Sequence, residues 1–254
     1  MNLEKLQESI EYTFNDQKLL RQALVHRSYL NERNKVEEIN EHNERLEFLG
    51  DAVLELVVTD FLYRNIDKNE GLLTSLRASL VNYKIMSSIG TSIGLDSQVL
   101  VSKGEKDDTG AARITIIADC MEAVIGAMYL DGGYDCTAEF IEKYVLVKLP
   151  EIIKTGSYRD HKTMMQEFCQ KHTKITPKYK IIFSEGKDHE KIFRVGVWVG
   201  VEKISEGIGK SKQEAETEAA RVALEVLQKR FGVDIDGIEM SLGSSPASHQ
   251  EDVV

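Results

Sequence analysis

The chain has 254 residues, of which 42 are acidic and 32 are basic, so its formal net charge is −10. An apolar content of 42% with 29% charged residues is ordinary for a globular protein and excludes a wholly disordered chain. No segment approaches the roughly 18 consecutive apolar residues that a membrane helix needs. A charge of −10 argues against a nucleic-acid partner only if it is evenly spread, because phosphate binding requires a basic surface.

The charge is in fact segregated along the chain. Residues 1–150 carry a net charge of −9, residues 161–232 carry +4 and residues 233–254 carry −5. The three cysteines are too widely spaced for a CxxC pair or a metal knuckle, and the N-terminus lacks an apolar signal core. We therefore expect a cytoplasmic protein with no membrane partner, built from an acidic N-terminal part, a basic module and an acidic tail.

The N-terminal part predicts an all-α domain over residues 1–152. No proline occurs before Pro150, and apolar residues recur at helical spacing within 46–57 and 76–83. Glycines that interrupt these patterns mark the breaks between helices. The polar stretch after Pro150 predicts a linker over residues 153–160.

The most informative segment of this domain is 43–51, which has the sequence Asn-Glu-Arg-Leu-Glu-Phe-Leu-Gly-Asp. On a helix, Glu44, Glu47 and Asp51 are separated by three and four residues and therefore share one face. Like charges at this spacing repel one another, yet the surrounding residues are apolar, so part of the face should lie near the core. Carboxylates in such a place usually need a counter-ion.

A second acidic pair lies in the apolar segment 116–127, where Asp119 and Glu122 stand three residues apart. For this pair alone, a structural role and a functional site are about equally supported, since each carboxylate could be solvated or could pair with Arg45 or Arg77. Two acidic stripes on two apolar helices favour the site.

The donor type constrains the metal that such a site would take. Carboxylates are hard oxygen ligands that suit Mg²⁺ or Mn²⁺, and Mg²⁺ typically keeps several waters and binds substrate phosphates. A di-iron carboxylate bundle is disfavoured, because none of the six histidines has a glutamate three residues before it. Carboxylates, Mg²⁺ and water together favour phosphodiester hydrolysis.

The residues after the linker predict a small α+β domain over 161–231. Alternating β-branched and aromatic residues predict strands, and small apolar residues at helical spacing predict the last helix. The expected order is α-β-β-β-α, with helices at 161–172 and 211–230 and strands at 179–184, 192–200 and 203–208. The tail at 232–254 is Ser-, Asp- and Gly-rich and is expected to be disordered.

The last predicted helix begins with an anion-binding pattern. Ser211 and Glu214, three residues apart, form a capping box that places the helix start at Ser211. Free N–H groups and the positive end of the helix dipole then lie beside Lys210 and Lys212, which favours a phosphate. An isolated motif of this kind is more often a capped surface helix with two solvated lysines.

The segment 43–51, extended through Leu54, resembles the signature of bacterial ribonuclease III. Further blocks typical of that family lie on either side of it, in the expected order along the chain, at 23–29, 70–71, 76–81 and 118–123. The similarity covers residues 1 to about 230. It implies a homodimeric, Mg²⁺-dependent endoribonuclease, with Mn²⁺ able to substitute, that cuts double-stranded RNA. The implied products have 5′-phosphate and 3′-hydroxyl ends with short 3′ overhangs, and the implied role is processing of ribosomal precursor and messenger RNA.

The resemblance also implies residue roles in the acidic domain. Glu47, Asp119 and Glu122 match the metal-binding carboxylates of the family. Asp51 matches a further essential acid that acts with Glu122 at the chemical step. Cys120, between two of these acids, falls on another helix face and is expected to be a packing residue.

Three more positions match family features around the same valley. Glu44 and Glu70 match acidic positions on its rim, and Phe48 matches an aromatic residue that inserts into the partner subunit. By periodicity alone, Phe48 is equally well explained as a core residue. One departure occurs at 109–113, where Thr-Gly-Ala-Ala-Arg replaces the usual Gly-Gly turn before the arginine, so a different loop shape is expected.

The C-terminal module resembles the double-stranded RNA-binding domain, in which three regions contact two minor grooves and the intervening phosphates. Gln213 replaces a frequent lysine, which predicts somewhat weaker phosphate contact. The loop 185–190 is also unusually acidic. The implied RNA-binding residues are Thr163, Gln166 and Glu167 in the first region, His189 in the second, and Lys210, Ser211 and Lys212 in the third.

Two other classes of function remain open from the residues. One is a non-catalytic duplex-RNA-binding protein whose acidic stripes are structural, which the presence of all four key acids disfavours. The other is an unrelated helical metal hydrolase acting on small phosphates, with the C-terminal module mediating protein contacts. His26 lies in an apolar, helix-like context and is expected to be a hydrogen-bonded core histidine outside the site.

Overall fold

The computed structural model describes residues 2–30, 41–106, 110–186 and 191–232. The chain divides into two compact units after Tyr158. Residues 233–254 of the predicted tail and the predicted RNA-binding residue His189 lie outside the described residues. No helix within the described ranges is long and apolar enough to span a membrane.

The first unit is helical, which confirms the predicted all-α domain. Two 3₁₀ turns, Leu95–Ser97 and Leu146–Lys148, connect some of its helices. Its α-helices are, in chain order, α1 (Leu3–Ile10), α2 (Gln17–Ala23), α3 (Arg27–Leu30), α4 (Glu44–Asn65), α5 (Glu70–Leu80), α6 (Tyr83–Ser92), α7 (Lys103–Lys106), α8 (Ala111–Tyr144) and α9 (Leu149–Thr155).

Side-chain caps and glycines define several of these helix ends. The Asn69 side chain accepts from the N–H of Leu72 at the start of α5, and the Asn82 side chain caps α6 in the same way, as expected for this residue type. Within α8, Gly133 has φ +83°, a conformation that residues with a side chain rarely adopt. Gly133 therefore bends α8, in agreement with the expectation that glycines mark breaks between helices in this domain.

The core of the first unit is the packing of α4 against α8, flanked by α2 and α6. Buried residues of both central helices, such as Leu54, Val58, Met121 and Ile125, meet in this layer. An extended segment lies beside it, where Val25 forms an isolated parallel bridge with Leu100. The segment predicted as a linker contains the last turn of α9, which ends at Gly156 in the left-handed conformation.

The second unit has the predicted α-β-β-β-α order. Its elements are α10 (His161–His172), β1 (Lys178–Glu185), β2 (Ile192–Val199), β3 (Glu202–Gly209) and α11 (Lys212–Phe231). The strands form an antiparallel sheet in the order β1-β2-β3, with Tyr179 opposite Val197 and Val195 opposite Gly207. Small residues let α11 approach the sheet, because a Cβ on Gly207 would lie 2.2 Å from the backbone N of Ala219.

Candidate active site

Two glycines bring α4 and α8 together at backbone contact. A Cβ on Gly50 would lie 1.8 Å from the carbonyl oxygen of Glu122, and a Cβ on Gly126 would lie 2.2 Å from the carbonyl oxygen of Leu46. Real Cβ atoms essentially never make such contacts, so neither position accepts a side chain. The helices therefore cross at the point where each carries its acidic residues.

Electrostatic interactions across this crossing link the four carboxylates. Burial, reinforced by Asp119 and other nearby carboxylates, raises the pKa of Glu47 from 4.5 to about 7. Burial also raises the pKa of Glu122 to about 8, with Asp51, Asp119 and Glu47 adding to the increase. Burial is likewise the main cause of the raised pKa values of Asp51 and Asp119. We call Glu47, Asp51, Asp119 and Glu122 the acidic cluster.

In the part of the chain that the structure describes, no lysine or arginine forms an ion pair with the acidic cluster, although His26 partly offsets the rise in the pKa of Asp119. The ion pairs nearest in sequence go elsewhere, since Arg27 pairs with Glu44 at 3.4 Å and Arg113 pairs with Asp96 at 2.7 Å. Four oxygen-donor groups with raised pKa values and no lysine or arginine pairing form a set that a divalent cation would stabilise.

The described residues contain no group of three or more His, Cys, Asp or Glu side chains arranged as a ready-made metal cage. Magnesium does not require one, because it commonly binds through one or two carboxylates and keeps several waters. The donor chemistry therefore fits Mg²⁺ or Mn²⁺. The residues able to hold such an ion are those of the acidic cluster.

The two predicted rim residues lie in different places. Glu44 begins α4 and pairs with Arg27 and, at 3.8 Å, with His42. The structure does not bring Glu70 to the acidic cluster of the same chain. Glu70 begins α5 and lines a cavity of about 460 Å³ together with Leu62 of α4. Leu62 follows Asp51 by eleven residues, which corresponds to about 16 Å along the helix.

Phe48 has 80% of its surface exposed, which excludes the alternative interpretation as a core residue. The sequence predicts His26 to be a core histidine outside the site, but it is only partly buried and it acts electrostatically on Asp119. It is hydrogen-bonded as expected, with Nδ1 at 2.9 Å from the Ser28 hydroxyl and at 3.2 Å from the Glu105 carboxylate. Cys120 is buried as expected, but it also has a polar partner that sequence reasoning missed. The amide Nδ2 of Asn43, itself 1% exposed, donates to its sulfur.

In the second unit, Ser211 caps α11 as predicted, but Glu214 bonds the residue before the cap and not the cap itself, so the capping box is only partly formed. Ser211 accepts from the N–H of Glu214 at 3.1 Å, and the Glu214 carboxylate accepts from the N–H of Lys210 at 2.8 Å. Ser211 is the cap itself, and Lys212 is the first helical residue. Lys212 also pairs with Glu216 at 3.7 Å.

The first predicted RNA-contact region lies next to the third. Thr163 and Gln166 on α10 line a cavity of about 490 Å³ together with Gln213, the residue that follows Lys212. Glu167 lies beside them on the outer surface of α10, where it lines a second depression with Thr163 and Gln166. Polar side chains of α10 and the start of α11 therefore share one face of this unit.

Comparison with known proteins agrees with this division. Residues 16–149 match the family described as Ribonuclease-III-like, and residues 161–227 match the double-stranded RNA binding motif. The protein named Ribonuclease 3 from Borreliella afzelii is 41% identical over 227 residues, which cover 89% of this chain and 91% of the relative. Its counterpart from Carboxydothermus hydrogenoformans is 43% identical over 229 residues, covering 89% and 96%.

A solved structure resembles the first unit. The nuclease domain of ribonuclease III from Campylobacter jejuni aligns with a TM-score of 0.52 and 38% identity, covering 59% of this chain and 99% of that one. The matches extend over both units and over most of each relative. The chain therefore belongs to the ribonuclease III family, whose members are double-strand-specific endoribonucleases.

Proposed function

We propose that this protein is a Mg²⁺-dependent endonuclease that hydrolyses phosphodiester bonds of double-stranded RNA in the cytoplasm. Its products would have 5′-phosphate and 3′-hydroxyl ends with short 3′ overhangs, and its substrates would include ribosomal precursor and messenger RNA. The observation that carries the proposal is the crossing at Gly50 and Gly126, where two acidic stripes meet and no lysine or arginine among the described residues pairs with them.

Each carboxylate of the acidic cluster has a part in the proposed chemistry. Glu47, Asp119 and Glu122 would hold the cation, and bound Mg²⁺ supplies an activated water and neutralises charge on the phosphate. Asp51 and Glu122 would act at the chemical step. Without a cation, burial is the main cause that raises the pKa values of both carboxyl groups. A nearby cation lowers these pKa values and keeps the carboxylates ionised.

The second unit would hold the duplex. Lys210, Ser211 and Lys212 present a cation-flanked helix N-terminus to a phosphate. Thr163, Gln166 and Glu167 on α10 would contact a minor groove, as in other double-stranded RNA-binding domains. His189, which lies outside the described residues, remains a predicted contact. The net charge of +4 in this region supports the assignment.

The homodimer is the third part of the proposal. Phe48, Leu56 and Tyr63 on α4 are all more than half exposed and lie within about 80° of one another around the helix. The Campylobacter jejuni structure is described as containing a region involved in dimer formation. We infer that this apolar face of α4 packs against a second copy. Sedimentation equilibrium should give the mass of two chains, and the mass of one chain would contradict the dimer.

The activity is tested by incubating the full chain with a long RNA duplex in Mg²⁺ and, in parallel, in excess EDTA. We expect short duplex products in Mg²⁺ alone, with 5′ ends that a kinase labels only after phosphatase treatment. A single-stranded RNA of the same composition should be cut much more slowly. Intact duplex after incubation with folded protein and Mg²⁺ would contradict the proposal, as would equal cleavage in EDTA.

A further inference from the structure

Asn43 occupies the position before α4 but does not act as a side-chain cap. Asparagine is among the preferred N-cap residues because its side-chain oxygen accepts a bond from the first turn. Here the side chain makes no capping bond to α4, although the residue sits at the N-cap position. It is 1% exposed. Its side-chain amide is therefore not used to start the helix.

The Asn43 amide instead reaches α8. Its Nδ2 donates to the sulfur of Cys120 at 3.3 Å, and Cys120 is fully buried between Asp119 and Met121. The main-chain N–H of Asn43 donates to the carbonyl of Val25 at 2.9 Å, and the carbonyl of Asn43 accepts from the N–H of Glu47 at 2.9 Å. One residue thus contacts the extended segment, the start of α4 and the acidic part of α8.

This attachment adds to the glycine crossing. The glycines fix how closely α4 and α8 approach, with Gly126 against the carbonyl of Leu46. The bond from Asn43 to Cys120 adds a directional contact between the two helices, at the end of α4 where Glu47 and Asp119 interact.

A purely structural role does not explain the residue well. The Oδ1 atom of Asn43 is buried and has no hydrogen-bond partner among the described residues. A buried acceptor without a donor lowers stability, whereas an apolar side chain of similar size would avoid that cost. The amide is therefore better explained by the geometry it imposes than by the stability it adds.

We propose that Asn43 is a positioning residue for the cation site, and that it acts by holding α4 in register with α8 through Cys120. The inference rests on the proposed cation-dependent function. Groups behind metal ligands commonly change metal affinity by 10- to 100-fold when they are removed. Since Asn43 acts through α8 and does not contact a carboxylate of the cluster directly, we expect an effect near the lower limit, about tenfold.

The test measures Mn²⁺ binding to the RNA-free full chain, by electron paramagnetic resonance of the unbound ion. Asn43→Ala should weaken Mn²⁺ binding about tenfold. The control is Asn82→Ala, which removes the side chain that accepts from the N–H groups of Lys84 and Ile85 at the start of α6. This control should lower the melting temperature and leave Mn²⁺ affinity unchanged, which separates positioning from stability.

A second pair of variants keeps the test decisive if Asn43→Ala does not fold. Cys120→Val removes the acceptor but keeps the volume, and it should weaken Mn²⁺ binding, whereas Cys120→Ser retains an acceptor and should stay closer to the wild type. Equal Mn²⁺ affinity in the wild type, Asn43→Ala and Cys120→Val would overturn the role of Asn43. A wild-type protein that binds no Mn²⁺ would contradict the proposed cation site itself, and the inference would fall with it.

Discussion

At the scale of single residues, the fold holds the carboxyl groups of the acidic cluster in surroundings that disfavour their ionised forms. Glu47 and Glu122 are partly buried beside other carboxylates, and both pKa values rise well above the ordinary 4.5. The glycines at positions 50 and 126 make this possible, because no side chain separates the two helices there. In the absence of a cation, protonation of these carboxyl groups reduces the repulsion between them.

A pH dependence of stability follows for the cation-free protein. The folded pKa values of Glu47 and Glu122 are about 7 and about 8, against 4.5 for an unperturbed glutamate. Between the unfolded pKa of 4.5 and the folded pKa values of about 7 and about 8, the folded chain therefore binds more protons than the unfolded chain. The resulting stabilisation is complete below the unfolded pKa and is lost as the pH rises through the folded pKa values. We expect the melting temperature in EDTA to fall between about pH 5 and about pH 8.

Thermal melts in EDTA and in Mg²⁺ check this expectation. Mg²⁺ should raise the melting temperature more at the upper end of the pH range, because it binds the ionised carboxylates. Glu122→Gln is the matched variant, since it cannot ionise, and its melting temperature should vary less with pH. A variant whose pH profile equals that of the wild type would show that Glu122 does not carry the effect.

At the scale of elements, the sequence predicts the helices and strands well, because their signals are local. The spacing of apolar residues predicts α4, and the capping box predicts the start of α11 to within one residue. The three strands appear where β-branched alternation places them. The same spacing puts Glu47 and Asp51 on one face of α4, so half of the acidic cluster can be predicted from helical periodicity alone.

The remaining part of the site depends on contacts between distant segments. Nothing in the local pattern says that Gly50 faces Gly126, since helix crossing is decided by packing. Asn43 has the residue type and position of a cap, so its bond to Cys120 could not be predicted. Glu70 matches a family position, but α5 places it away from the acidic cluster of the same chain, along α4 beside Leu62.

The start of α11 makes a prediction about RNA affinity. Glu216, whose side chain is 13% exposed, pairs with Lys162 at 2.6 Å and with Lys212 at 3.7 Å. Its charge offsets that of the lysines on the proposed RNA face. We expect Glu216→Gln to tighten duplex binding roughly threefold at low salt and to steepen the salt dependence, because more counter-ions are released.

The control for that variant is Glu218→Gln, which removes the same charge from the same helix. Glu218 pairs with Arg221 at 2.8 Å and contacts neither lysine. Fluorescence anisotropy of a labelled RNA duplex over a series of salt concentrations gives both the affinity and its slope. Equal tightening in the two variants would show that net charge, and not release of the lysines, is responsible.

At the scale of the whole molecule, the net charge of −10 is the sum of separate roles. The first unit contains the acidic cluster, whose repulsion a divalent cation would offset as RNA arrives. The second unit carries the basic residues that favour a phosphate backbone, with a net charge of +4 over residues 161–232. The proposal therefore assigns cleavage to the first unit and duplex binding to the second, and a variant in the acidic cluster should leave duplex binding intact.

The most direct test of this account compares duplex binding and duplex cleavage in Glu122→Gln and the wild type. Binding is measured in EDTA, and cleavage is then started with Mg²⁺. We predict equal affinity for the duplex, with cleavage by the variant reduced at least ~100-fold, because the variant lacks a carboxylate that we propose binds the cation and acts at the chemical step. Cleavage by the variant at the wild-type rate would contradict the account.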